Sequence, residues 1–165
     1  MARETPYRSI TAMLNGLNSR VPLIVWGSAA SPYYKQVPEP APAFPYCAYD
    51  LGKSTLEHSF GGGKANSSYV EKRTLSLMVF GDSDEIEQAA APEMPGGLFH
   101  CLDSFADAPE LLSGVGFDCI LFVRKGYELL LEEQREENSI MRIWQAVAEY
   151  DFWTEVKYPL SPKGL

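Results

Sequence analysis

Residues 68–81 read SYVEKRTLSLMVFG, and their alternation limits the kind of element they can form. Tyr69, Glu71, Arg73, Leu75, Leu77 and Val79 share one side of an extended chain, while Val70, Lys72, Thr74, Ser76, Met78 and Phe80 share the other. A period of two orders this run, so a long strand is expected. Its first half is polar on both sides and its second half largely apolar, so the strand enters the core from a solvated or partner-contacting arm.

The other elements are placed around this strand. Ile10, Met13, Leu14 and Leu17 lie at helical spacing between Tyr7 and Leu17, with Thr5 as N-cap and Pro6 at the first helical position. Residues 21–26, VPLIVW, read as a short strand. Residues 27–45 contain Pro32, Pro38, Pro40, Pro42 and Pro45 and read as an extended connector, because proline gives no donor to a ladder and blocks a helix. A strand over Tyr46–Tyr49 leads into residues 52–68, rich in glycine and serine, which read as a flexible loop or a hairpin arm. Asp82–Glu85 supply caps and acidic first-turn residues for a helix through Ala91, Pro92 and Pro95 break it, and a second helical piece runs from Leu98 to Phe105. A strand over residues 118–124, a turn at Lys125 and Gly126 and a second strand with an acidic end follow. Residues 139–155 fit a strand or a helix, and their density of aromatic and β-branched residues favours the strand. The tail 159–165 reads as loose.

This order implies a single domain over residues 1–165, of α+β class: a largely antiparallel β-sheet with the N-terminal helix and the central helices packed on one face. Leu75, Leu77, Val79, Ile120, Phe122, Trp144 and Val147 are its expected core.

Charge and cysteine usage bound the function. With 14 Lys and Arg against 22 Asp and Glu the formal charge is −8, which argues against a nonspecific grip on nucleic-acid phosphates or an anionic membrane. No apolar run approaches the ~20 residues of a membrane span, and MARETPYRSI lacks the apolar core of a secretory signal. A cytosolic chain, or one that assembles from the cytosol, is expected. Cys47, Cys101 and Cys119 are widely spaced with no CxxC pair and read as free thiols.

Two partial phosphate-loop matches raise a nucleotide reading. Gly52-Lys53-Ser54-Thr55 has the closing letters, but Cys47 stands where the first glycine belongs, and the run Gly61-Gly62-Gly63-Lys64 is followed by Ala65 in place of a hydroxyl residue. His58 and His100 are too few for a zinc site and have no metal-ligand spacing with the cysteines. No G-x-S-x-G elbow occurs. A thiol pair of Cys101 with His100 or His58 needs the fold to bring them together. Glu132, Glu133, Glu136 and Glu137 form an acidic run that reads as a solvated strand end. No catalytic, metal or cofactor residue is therefore expected. Long polar extensions from a compact sheet reserve surface for partners. The candidate interface residues are Lys53, Glu57, His58, Lys64, Tyr69, Glu71 and Arg73 on the arm, with Glu132, Glu133, Arg135 and Glu136 on the acidic strand end.

The amphipathic helix Tyr7–Leu17, the proline-rich stretch ending in FPYCAYDLG, the strand YVEKRTLSLMVFGDSDE running directly into a helix, and the aromatic strand IWQAVAEYDFW resemble, in their order, the tail-terminator or tail-completion (neck) proteins of long-tailed bacteriophages and phage-like particles. The likeness covers residues 7–155. It implies a cyclic homo-oligomer, typically a hexamer, that caps the head-proximal end of the tail tube, stops its polymerisation and offers the neck a docking surface. It further implies no catalytic residue and no cofactor. The partners are then the tail tube protein, the neck or connector protein and other copies of the chain, with DNA passing through the lumen unbound and no membrane contact. The location is the virion tail or neck, after assembly in the host cytoplasm. The rival readings are a head-to-tail connector or tail-assembly chaperone of the same particle, a small cytosolic enzyme built on His100, Cys101 and Glu132, and a monomeric host binding module with an acidic surface.

Overall fold

The computed structural model describes residues 6–28, 31–60 and 66–159. In chain order the elements are α1 (Pro6–Gly16), β1 (Tyr33–Tyr34), β2 (Tyr46–Leu51), β3 (Thr55–Phe60), β4 (Asn66–Gly81), α2 (Glu85–Ala90), α3 (Leu98–Asp103), β5 (Leu121–Glu136) and β6 (Ser139–Pro159). Thr5, the Gly61–Lys64 run and the tail from Leu160 onward lie outside the described residues. The sheet order is β1-β2-β4-β6-β5, with β3 paired to the first half of β4. Among the described residues only β1 with β2 is parallel. The fold is α+β.

The 139–155 ambiguity resolves as strand because β6 lies between β4 and β5 and alternates with the sheet. Ala146, Ala148, Tyr150 and Phe152 are buried on one side, with Leu75, Leu77 and Val79 of β4 and Cys47, Tyr49 and Leu51 of β2 in the same cluster. Ile10, Met13 and Leu14 of α1, Ile86 of α2, and Leu98, Phe99 and Leu102 of α3 complete it. The helices thus bury their apolar stripes against one sheet face, as expected. A bond between the Thr11 and Tyr49 hydroxyls ties α1 to β2.

The strand and turn expected around Lys125 are one continuous strand with a bulge. Arg124 faces Tyr150 and Gly126 faces Glu149, so Lys125 is an extra residue in the ladder. Before it Phe122 and Arg124 point to the helical side; after it Tyr127, Leu129 and Leu131 do, opposite Ala148, Ala146 and Trp144. Without the extra residue the second half of β5 would present Glu128 and Glu132 to the core, since one residue of slip exchanges the faces of a strand.

Other expectations are corrected. Residues 21–26 form no strand: Pro22 has no donor to give a ladder, the Ile24 amide donates to the Val21 carbonyl in a turn, and Leu23 bonds to Gly96. Val21 and Ile24 still reach the core. Val147 lies on the side of β6 away from the helices and is half-buried, while Ile120 precedes β5 and is exposed. Leu75, Leu77, Val79 and Phe122 are core, and Trp144 packs partly buried against it. The helix after Asp82 is shorter than expected: Ser83 Oγ accepts the Glu85 amide at 3.1 Å, and Ala91 is extended ahead of Pro92.

The proline-rich segment is more than a spacer. It contains β1, and Tyr33 is buried. Asn18 Oδ1 accepts both the Trp26 indole N–H at 2.8 Å and the Tyr33 hydroxyl at 3.0 Å, and the two rings meet edge to face. At the base of the loop the Gly27 amide donates to the Pro45 carbonyl at 3.0 Å.

Candidate functional site

The register divides β6 into three zones. Residues 139–143 pair only with β5, residues 144–153 with both neighbours, and residues 154–159 only with β4. A strand of 21 residues spans about 65–70 Å at the usual rise. The paired ends therefore project from the sheet in opposite directions. One is the β5–β6 hairpin tip, and the other is a three-stranded arm of β3, early β4 and late β6.

The candidate interface residues fall into these two groups. On the arm, Lys53 is exposed in the link between β2 and β3, Glu71 pairs with Leu56 and Thr154, and Arg73 pairs with Phe152. His58 and Tyr69 hold register positions opposite Val70 and Ser59, and Glu57 lies at the irregularity between Leu56 and His58; Lys64 lies outside the described residues. On the tip, Glu132, Glu133, Arg135 and Glu136 face Ile143, Arg142, Ile140 and Ser139. Glu132 Oε2 accepts the Gln145 side-chain amide at 3.0 Å, and Glu133 pairs with Arg142 at 3.4 Å. Thr154 lies eleven positions along β6 from Ile143, on the order of 36 Å along the strand. The two groups are separate surfaces.

At Lys53 the phosphate-loop reading fails on geometry. The Gly52 amide donates to the Thr74 carbonyl at 2.8 Å, and a strand begins at Thr55, so Lys53 joins two strands and precedes no helix. The enzyme constellation is not assembled either. Glu132 lies on the side of β5 away from the helices, whereas His100 and Cys101 are on α3, whose Phe99 carbonyl is close to the Tyr150 hydroxyl. Among the described residues no three His, Cys, Asp or Glu stand together as metal ligands, and no helix is long and apolar enough to cross a membrane. A groove between Leu23, Val25, Pro45, Asp82 and Ile86 holds about 100 Å³, below the roughly 300 Å³ at which small-molecule sites begin.

The sequence reading missed the side of the sheet away from the helices. Phe44 stacks on Tyr46 and Tyr46 on Phe80, with Tyr34 edge-on to Tyr46. Further along, Asp151 accepts from Thr74 Oγ1 at 2.7 Å and pairs with Lys72, whose ammonium lies over the Trp153 ring. Met78 and Phe80 alternate with the buried residues of β4, which was the available signal.

The buried thiols Cys47 and Cys101, the part-buried Cys119 and the buried phenols make stability fall in alkali. Burial raises Cys47 and Cys101 above their ordinary value, and burial with Asp118 pushes Cys119 up to about 12. Burial raises Tyr33 and Tyr150 as well, with Asp103 adding to Tyr150. The folded chain holds these protons after the unfolded chain has lost them, so stability is full below the unfolded values of about 8.5 and 10 and declines above them. Urea unfolding between about pH 8 and pH 11 should show a midpoint falling with pH, as the unfolding free energy drops by up to about 1.4 kcal/mol per pH unit for each fully buried group once past its unfolded value. A flat profile would show that these groups ionise in the native state.

No protein-family model matches the chain, and no curated protein matches it.

Proposed function

We propose that the protein is a virion structural subunit, a tail-terminator or tail-completion protein that forms a ring on the head-proximal end of a phage-like tail tube and presents the docking surface for the neck. The observation that supports this most is the pair of unlike arms at opposite ends of β6. A subunit with two different contact surfaces associates head to tail, and such contacts close into a ring when the rotation allows. Exposed large apolar side chains on the β5–β6 side, Leu121, Val123, Ile140 and Met141, supply contact area beyond what a monomer needs. The formal charge of −8 suits a channel wall past which DNA slides without being gripped.

The test uses particles carrying a C-terminally tagged subunit, labelled with gold and imaged, beside a variant with a shortened arm. Leu56 and Glu71 face one another, so replacing residues 57–70 by Asn-Gly joins them through a two-residue turn. Label is expected at the neck end of the tail, and the shortened variant is expected to fold yet be missing from particles. Label absent from particles, or normal incorporation of the shortened variant, overturns the reading.

A further inference from the structure

We propose that the outer edge of β5 pairs antiparallel with β5 of a second copy about a two-fold axis through Leu129, joining two sheets into one. β5 is the outermost strand of the sheet among the described residues, 16 residues long, and an edge of this kind offers a row of N–H and C=O groups to another chain. Edges are ordinarily shielded by charge and by bulges. Here the bulge and the charges lie toward the ends, and between Gly126 and Glu132 the sole charge is Glu128.

Charge selects the register. A two-fold pairing that keeps matching faces together is centred on one residue. Centring on Glu128 sets it against itself, and centring on Leu130 sets Glu128 against Glu132, both like-charge pairs that destabilise a ladder. Centring on Leu131 sets Glu132 and Glu133 against leucines, and centring on Tyr127 runs Leu129 into the bulge. Centring on Leu129 sets it against the second copy's Leu129, Tyr127 against Leu131 and Glu128 against Leu130. Past the bulge, Arg124 then meets Glu133 on the helical side, and Lys125 lies beside Glu132. Arg124 already bonds Asp103 at 3.0 Å and Glu133 already pairs with Arg142 at 3.4 Å. The contact therefore links Asp103, Arg124, the second copy's Glu133 and its Arg142 in a row of alternating sign, and does so twice.

This contact joins like surfaces and ring closure joins unlike ones, so it goes beyond the proposed function. Sedimentation velocity of the purified chain tests it. Leu130 is 39 % exposed and faces away from the helices, so Leu130→Glu spares the core while setting one new glutamate against Glu128 of the other copy, twice over. The wild type is expected to sediment as two chains, Leu130→Glu to lose that species with a dissociation constant raised on the order of tenfold or more, and Glu128→Lys with Leu130→Glu to restore it. A wild type that sediments as one chain at every concentration, or association unchanged by Leu130→Glu, overturns the pairing. A larger species indifferent to Leu130→Glu overturns the pairing and leaves the ring standing. A charge-dependent pair without gold label at the neck upholds the pairing and removes the ring.

Discussion

Tyr150→Ala is expected to lower the free energy of unfolding by about 3–5 kcal/mol, the range for deleting a buried aromatic ring. Tyr150 has no exposed surface and stacks on Phe122 with ring centres 5.0 Å apart, tilted against Phe99 at 6.4 Å. Its neighbours belong to a strand on one side and a helix on the other, so neither can move in to fill the space. The hydroxyl adds a polar part: it donates to Asp103 Oδ1 at 2.9 Å, and the other oxygen of Asp103 takes the Arg124 guanidinium at 3.0 Å. Tyr150→Phe keeps the ring and gives up the bond to Asp103 with the longer contact to the Phe99 carbonyl at 3.4 Å, a loss of about 1.5 kcal/mol, the lower part of the range for a bond to a charged partner. Urea denaturation separates the two, with a shifted midpoint at unchanged slope. Equal losses for alanine and phenylalanine would mean that the hydroxyl, not the packed ring, holds α3 to the sheet.

Gly27→Ala is expected to cost about 3 kcal/mol, the upper part of the range for overpacking. A Cβ at this position falls 2.4 Å from the carbonyl oxygens of both Ala43 and Phe44. These are backbone atoms, unable to swing aside as the end of a side chain can. Relief requires the base of the 27–45 loop to open, breaking the bond from Gly27 to Pro45 and loosening Tyr33 and Trp26 from Asn18. Gly114, where an added Cβ meets nothing within 4 Å, serves as the control, and its alanine variant should stay within about 0.5 kcal/mol. Thermal melts measure the difference, and proteolysis between Tyr33 and Phe44 locates it. An alanine variant cut no faster than the wild type there would show that the loop base absorbs the methyl.

The long strands were legible because they are long: the alternation of Leu75, Leu77 and Val79 has no helical reading, and β6 has too many aromatic and β-branched residues for a good helix. What was not legible depends on contacts distant in sequence. Nothing local marks Lys125 as an extra residue, since Lys-Gly serves a turn equally well; the bulge follows from bringing Tyr127, Leu129 and Leu131 under the helices. The proline-rich segment looked like a spacer because its buried role rests on Tyr33 meeting Asn18, 15 residues away. Both candidate surfaces were named from the sequence as segments, the arm at Glu71 and Arg73 and the acidic end at Glu132 and Glu133. Their placement at opposite ends of β6 follows only from the register. Met78, Phe80 and Tyr46 went unremarked as a surface because an alternating strand shows that it has two faces and not which one the helices cover.

That both arms are built on one uninterrupted strand has a mechanical consequence. A pull between the hairpin tip and the three-stranded arm acts along β6, parallel to the strands and across the hydrogen bonds that hold it to β4 and β5. Loaded in this direction the ladder bonds share the force and must fail together, whereas a pull at right angles would peel them one after another. The sheet is thus stiffest along the line joining its two projecting ends.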